Sequence, residues 1–536
     1  VSPISKFNQT ASRARTQVQG LLSPVHTASV PGGYTGEGAP GYARDAKSEL
    51  FLLAVANMVS EKTFYETPEA RDERFEQLVR HVAVTDYAWF RGFLYWLRNG
   101  ANMRSASVVA AVEGADALRV AKVGGGRFLF EGLARADEPG EAFAYWLARY
   151  GRPIPKPIKR GIADAAVRLY DEFSYLKWDS ERSAVRFADV IDMLRPSPKT
   201  VGQNALFRYI LDARHGHNAI ADKKVHPNQL RMIDFQANVR QAWKQGTTTF
   251  GPEILRRAGL TWEDVLSEFG SKMDKKVLWE DLIPTMGYMA LLRNLRNFDL
   301  AGISDGDATQ VIIRLTDPEQ VAKSRQFPFR FLSAYRAAPS LRWGHALETA
   351  LDLSMANVPL LPGRTLVLVD MSGSMGHSLS ERSSVSRRDA AALFGTVLAR
   401  RSPSATDVVQ FGTGAELVSF ARGDSVLRMI ESRFRGMGGT NTRAATQRFY
   451  AGHDRVVIIT DEQSHDGDPG SVIPSNVPVY TWNLGGYRFG SGPSGGNNRH
   501  VFGGLNDAAF KIIPLLERGE NAPWPWETAD GDAAAH

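Results

Sequence analysis

Thr365-Leu-Val-Leu-Val-Asp370-Met-Ser372-Gly-Ser374-Met375 is the stretch on which the fold turns. The apolar run Leu366 to Val369 reads as a strand buried on both faces, and it stops at an acid followed by two serines at alternate positions. Three hard oxygen donors therefore share one turn at a strand's carboxyl end, the edge of an open α/β sheet where loops converge and ligands sit. One carboxylate and two hydroxyls suit magnesium, which takes oxygen ligands in octahedral geometry and keeps several waters. The same residues also fit a plain serine-rich turn, so the surrounding sequence has to decide.

Downstream of Pro362, strands and helices alternate. Strands are predicted at Thr365 to Asp370, Asp407 to Phe411, Arg455 to Asp461 and Val477 to Leu484, with helices around Arg388 to Arg400, Val426 to Arg433, Thr442 to Tyr450 and Asp507 to Leu516. Such alternation implies right-handed crossovers and a parallel, doubly wound sheet. Two further pieces fall where the opening stretch needs them: the glycine-rich loop Arg435-Gly-Met-Gly-Gly-Thr440-Asn-Thr442, and the buried strand Val456-Val-Ile-Ile-Thr-Asp461-Glu, which again ends in an acid. Asp-x-Ser-x-Ser, a later Gly-Gly-Thr and a strand-terminal Thr-Asp resemble a von Willebrand factor A domain with a complete metal-ion-dependent adhesion site. The resemblance implies Asp370, Ser372, Ser374, Thr440 and Asp461 as the ligand set of a divalent ion, magnesium, with one position left for an outside carboxylate or water. His377 and His465 lie close to these residues in sequence, but no Gly-x-Ser-x-Gly elbow presents a nucleophile, so a hydrolase triad is not expected.

Upstream, the grammar is helical. After an arm at about 1–41 that is rich in Ser, Pro and Gly, apolar faces recur at Leu50, Leu53, Ala54, Val55 and Met58, at Phe75, Leu78, Val79 and Val82, and at Trp89, Phe90, Phe93, Leu94 and Leu97. The pattern runs on to Leu295 with almost no strand-like alternation before Val311. An array of a dozen or more helices is too large for one bundle, and stacked helix pairs bury every face economically. The boundary is placed near Pro359 to Gly363, giving a helical unit at 1–361 and an α/β unit at 362–536. The segment Gly485 to Asn498, rich in Gly and Ser, is expected to be mobile.

Composition narrows the classes. The chain has 536 residues and no cysteine, which excludes disulfides and thiolate zinc sites, and its 11 histidines form no His-x-x-x-His pair. No apolar run is long enough to span a bilayer and no signal pattern opens the chain, so a soluble, cytoplasmic protein without a membrane partner is expected. Residues 361–536 hold 17 Lys+Arg against 18 Asp+Glu; the remainder holds 47 of the 64 basic and 40 of the 58 acidic residues, an excess of 7. That bias is compatible with a polyanionic partner and also with a merely solvated surface.

The motifs of the helical half are Arg98-Asn-Gly-Ala-Asn-Met-Arg104, Gly151-Arg-Pro-Ile-Pro-Lys156-Pro-Ile-Lys159-Arg160, Tyr175-Leu-Lys177, the run from Arg186 to Pro198, and the run from Met286 to Asn297. In this order, before an A domain, they resemble the TROVE module of the Ro autoantigen family, bacterial members included. The resemblance implies an all-α ring of HEAT-like helical repeats followed by an α/β, doubly wound von Willebrand factor A domain. It further implies a non-catalytic, monomeric ring that binds small structured Y-like noncoding RNA outside and single-stranded ends of misfolded RNA in its hole. Roles in ribosomal RNA maturation, RNA quality control and stress survival, beside an exoribonuclease such as polynucleotide phosphorylase, come with it. Lys156, Lys159 and Arg160, at the proline-stiffened approach to a helix whose dipole adds positive potential, are the leading phosphate contacts; Arg104 and Lys177 follow. A solvated helix end is the alternative for the first three, and core packing is the alternative to base stacking for Trp89, Phe90, Tyr95 and Trp96. A metal-dependent protein-adhesion module on a helical scaffold is the competing reading of the whole chain.

Overall fold

A computed structural model of the chain describes residues 23–527, apart from 57–62, 249, 327, 339, 356–357, 380–382, 403–405, 420, 422 and 505–511. Residues 1–22 of the arm, Met58, and the start of the helix expected at Asp507 lie outside the described residues.

The helical array runs from Ala46–Ala56 to Leu341–Ser354. Its joints are written locally. Thr67 caps the helix Pro68–Thr85 by accepting from the Ala70 amide at 3.2 Å, and Pro68 opens the first turn, where its missing N–H costs nothing. That helix ends at Asp86, whose carboxylate accepts from Trp89 N at 3.1 Å and so caps the next helix, Tyr87–Asn99. One residue closes one helix and opens another, which forces the two into a tight turn. Trp89, Phe90, Phe93, Leu94 and Leu97 are the buried face of Tyr87–Asn99, as their spacing predicts. Among the described residues, no helix is long and apolar enough to cross a membrane.

The C-terminal unit is built on a six-stranded sheet. Its strands are β3 (Thr365–Asp370), β4 (Thr406–Phe411), β5 (Ala415–Leu417), β6 (Arg455–Thr460), β7 (Val479–Asn483) and β9 (Arg499–Gly503), in the order β5-β4-β3-β6-β7-β9. Every pairing is parallel except β4 with β5. The helices Arg387–Arg401, Val426–Arg433 and Thr442–Phe449 match the predicted ones to within a residue. The fold is therefore the predicted one, a helical-repeat ring followed by a doubly wound α/β domain.

The sequence reading lacks β5 and β9, and it describes two segments differently. The arm is not a bare loop: β1 (Gly33–Tyr34) and β2 (Pro40–Ala43) pair antiparallel, and β2 pairs in turn with β8 (Phe489–Gly490). Segment 485–498, expected to be mobile, is thus built into the structure. Ser494 Oγ donates to Val25 O at 2.8 Å, and Arg44, fully buried, meets Glu462 at 2.5 Å and donates to Tyr487 O at 2.6 Å. Glycine and serine content signalled flexibility, but the partners that order these residues lie more than 400 positions away.

Both ends of the array are fastened to the same domain. At the early end, Arg71 donates to Gly485 O at 2.6 Å and Arg74 to Gly486 O at 3.0 Å. At the late end, Arg336 pairs with Asp389 at 2.7 Å, and Glu348 takes both Arg400 at 2.8 Å and the Val426 amide at 2.7 Å. Arg325 donates to Asn99 O at 2.9 Å and ties late helices directly to early ones. The ring is closed within one chain.

A C-terminal strap completes the closure. Trp526 lies 5.1 Å from Trp89, 5.5 Å from Phe93 and 5.5 Å from Trp96, ring centre to ring centre, and Trp524 stacks on Trp526 at 5.3 Å. The aromatic row of Tyr87–Asn99 is therefore packing rather than a base-stacking platform. Trp526→Ala is expected to cost about 2 kcal/mol of stability, the loss of one large apolar burial, and to lower the first thermal transition measured by calorimetry by several degrees.

Candidate metal centre and nucleic-acid interface

Asp370 is the last residue of β3, and Asp461 follows the last residue of β6. These strands are parallel neighbours in register Val369 to Ile459, so their carboxylates emerge side by side at the sheet's carboxyl edge. The Ser372 amide donates to Asp370 Oδ1 at 2.9 Å, which curls the turn back on the strand end, and the two serine hydroxyls stand 3.2 Å apart. Gly373 N donates to Gly438 O at 2.6 Å, drawing in the glycine loop that carries Thr440. Gly438 has φ +79°, and a Cβ there would lie 2.8 Å from Thr413 Oγ1, so the loop can pass only as glycine. Asp370, Ser372, Ser374 and Asp461 come together, the loop carrying Thr440 is bonded to their turn, and all five residues are at most 2% exposed.

Their electrostatics fit a cation. Burial, and then the neighbouring charge of Asp461, pushes the Asp370 carboxyl up to about 7; burial likewise raises Asp461. Thr460, one strand over, donates to Asp370 Oδ2 at 2.5 Å and offsets part of that cost. Thr440 Oγ1 and Asp461 Oδ2 are buried without a hydrogen-bond partner. Two crowded carboxylates with an orphaned hydroxyl and an orphaned carboxylate oxygen are the donor chemistry that a hard divalent ion satisfies. Among the described residues, no cluster of three or more His, Asp or Glu side chains offers a second centre.

Sequence reasoning missed the support around this centre. Glu462 has φ +61°, a conformation uncommon for a glutamate, and its carboxylate accepts from Arg44 and from Asn483 Nδ2. Asp461 and its neighbour are thus committed to different partners. Of this arrangement, only the Asp461-Glu462 pair is visible in the sequence.

The basic candidates separate. Lys156 and Arg160 are exposed and line an open cavity of about 410 Å³ with Arg119, Arg127 and the glycines Gly124 to Gly126. Gly125 has φ +98° and lies against Tyr87, whose hydroxyl donates to its carbonyl at 3.1 Å. The helix Lys156–Leu169 begins at Pro155 without a side-chain cap, which leaves the amide end of the helix to the cavity's neighbourhood. Arg119 is held by Asp116 at 2.7 Å and Arg127 by Asp164, whereas Lys156, Lys159 and Arg160 make no ion pair among the described residues. Lys159 is half-buried and does not line the cavity. Arg104 is engaged by Asp137 at 3.1 Å and Glu141 at 2.8 Å, and Lys177 lies over the rings of Phe173 and Trp178 at 5.4 and 5.0 Å. Neither of these two belongs to the cavity. Arg119 and Arg127 were not picked out from sequence, although Arg127 follows the glycine run.

Residues 226–343 match the TROVE domain. The chain is 41% identical over 93 residues to telomerase protein component 1 of Mus musculus, 17% of this chain and 3% of that protein, and 44% identical over 77 residues to its Rattus norvegicus counterpart, 14% and 3%. To the RNA-binding protein RO60 of Caenorhabditis elegans it is 31% identical over 136 residues, 23% of this chain and 21% of that protein. The chain therefore spans a small part of these relatives' length. Among solved structures, the crystal structure of the Deinococcus radiodurans RO (RSR) protein superimposes with a TM-score of 0.59 at 19% identity, covering 89% of this chain and all of that one.

Proposed function

We propose, for a chain that is a TROVE-domain protein of the Ro type, that it is a non-catalytic RNA-binding ring of the cytoplasm, held together within one polypeptide. It holds small structured, Y-like noncoding RNA on a basic outer surface and admits the single-stranded ends of misfolded RNA. In this role it serves RNA quality control, ribosomal RNA maturation and stress survival, beside an exoribonuclease such as polynucleotide phosphorylase. The observation that carries the reading is the group Lys156, Lys159 and Arg160: cations without acidic partners among the described residues, two of them at an open cavity beside an uncapped helix start. Such cations fix phosphates without reading bases, so affinity falls with salt in proportion to the contacts made. Selection then rests on the accessibility of an end.

The test compares a duplex bearing a single-stranded tail with a blunt duplex of the same sequence, titrated by fluorescence anisotropy across a salt series. The tailed duplex is expected to bind at least about tenfold more tightly, with a falling log affinity against log salt. Equal affinities without a salt slope would refute the reading.

The second reading, a metal-dependent adhesion module, is favoured by one observation, the complete donor set of Asp370, Ser372, Ser374, Thr440 and Asp461. We take these residues to hold a divalent ion, magnesium by donor type, and its charge to offset that of the two buried carboxylates. Capture of an acidic protein partner that is lost in Asp370→Ala, with RNA binding indifferent to Lys156→Ala and Lys159→Ala, would favour this alternative.

A further inference from the structure

The metal centre is roofed by the arm. Glu37 sits in the turn between β1 and β2, and that turn is pinned to the segment carrying Asp461: Thr35 Oγ1 donates to Ser464 O at 2.7 Å and Gly36 N to Gln463 Oε1 at 2.6 Å. The Tyr65 hydroxyl donates to Glu37 Oε1, and the charge of Asp461 is among the influences that raise its own pKa. Its ring packs against Gly36, where a Cβ would come within 2.5 Å, and meets Tyr487 edge-on at 5.3 Å. An acid is thus carried to the mouth of a site already crowded with two buried acids. A cation held by Asp370 and Asp461 would attract that acid.

We propose that Glu37, steadied by Tyr65, is the centre's own acidic occupant, standing in cis where an outside carboxylate would approach, so that a bound ion clamps the arm to the C-terminal domain. This rests on the metal reading given above. Its consequence runs against adhesion: the ion serves the chain's internal closure, and an acidic partner has first to displace the arm.

The full chain is titrated with Mn²⁺ by electron paramagnetic resonance, and hydrogen exchange of residues 32–44 is followed by mass spectrometry with and without the ion. In the native chain Mn²⁺ is expected to slow arm exchange about tenfold, and added acetate to leave the affinity unchanged. Glu37→Ala, a change at a half-exposed turn position, is expected to lose that protection and about tenfold in affinity, which acetate restores. Tyr65→Phe should fall between the two, and Asp370→Ala should abolish binding. If Mn²⁺ binds in an Asp370-dependent way but Glu37→Ala changes neither affinity nor arm exchange, the proposal fails while the metal centre stands. If Asp370→Ala binds like the native chain, or if no variant binds, the metal reading fails and takes the proposal with it. Tight binding by Glu37→Ala alone would make the arm an ion-excluding cap and overturn the proposal.

Discussion

Replacing Lys156, Lys159 and Arg160 together by alanine is expected to weaken binding of a structured, tailed RNA about 100-fold near physiological salt. Each phosphate neutralised on a duplex adds about 0.9 to the slope of log affinity against log salt, so three lost contacts remove about 2.7 from it. At about 0.15 M salt that slope corresponds to roughly two decades of affinity relative to 1 M. Among the described residues the three side chains have no carboxylate partner to lose, so the thermal transition should stay in place and the loss is one of contact rather than of folding. Arg104→Ala is the counterpart: its guanidinium is spent on Asp137 and Glu141, so it should move stability more than RNA affinity. A salt series on both variants checks the pair. A triple variant with an unchanged slope would remove this cavity from the RNA path.

The second large effect is a pH dependence that magnesium erases. Burial and the neighbouring charge of Asp461 push the Asp370 carboxyl of the folded chain up to about 7, against about 3.9 when unfolded. Between those values the native state keeps a proton that the unfolded chain has given up, so stability is greatest at the acid end and falls as pH rises toward and through 7. Asp461 shifts in the same direction and adds to the loss. The penalty at pH 8 is on the order of 2–4 kcal/mol, and saturating Mg²⁺ should recover about that much by binding only the folded state. Thermal melts in chelator at pH 5 and pH 8 should differ more than the same melts in Mg²⁺. Asp370→Asn should flatten the pH difference and abolish the response to Mg²⁺.

How much of this was legible depended on distance along the chain. β3 and β6 read correctly because strands buried on both faces are continuous apolar runs, and their terminal acids stand out against them. The five donors came from the resemblance to a metal-ion-dependent adhesion site, whose pattern falls at strand ends and in a glycine loop. β9 did not read as a strand, since it opens with Arg499 and His500. Arg499 is satisfied largely by carbonyls of remote loops, those of Gly470, Ile473 and Val477 among them, while His500 stacks on Tyr480 and burial pushes it down to about 4. Arg104 ranked below Lys156 in sequence but stayed a candidate, and carboxylates 33 and 37 positions further on engage it. The arm was read as loose for the same reason: Gly33 and Gly41 offer no pattern until the Phe489 side chain packs against them.

The Arg44–Glu462 bond also sets an order of events during biosynthesis. Its two residues are 418 positions apart, so at about 5–20 residues per second the arm emerges roughly 20–80 s before the strand end it docks on exists. The helices can stack as they leave the ribosome, each on its predecessor. The arm's strands cannot, and Arg44 waits for its partner until Glu462 has been made. A nascent chain stalled before β6 would therefore display a solvent-exposed β1–β2 hairpin, giving a protease or chaperone a ready mark of incomplete synthesis.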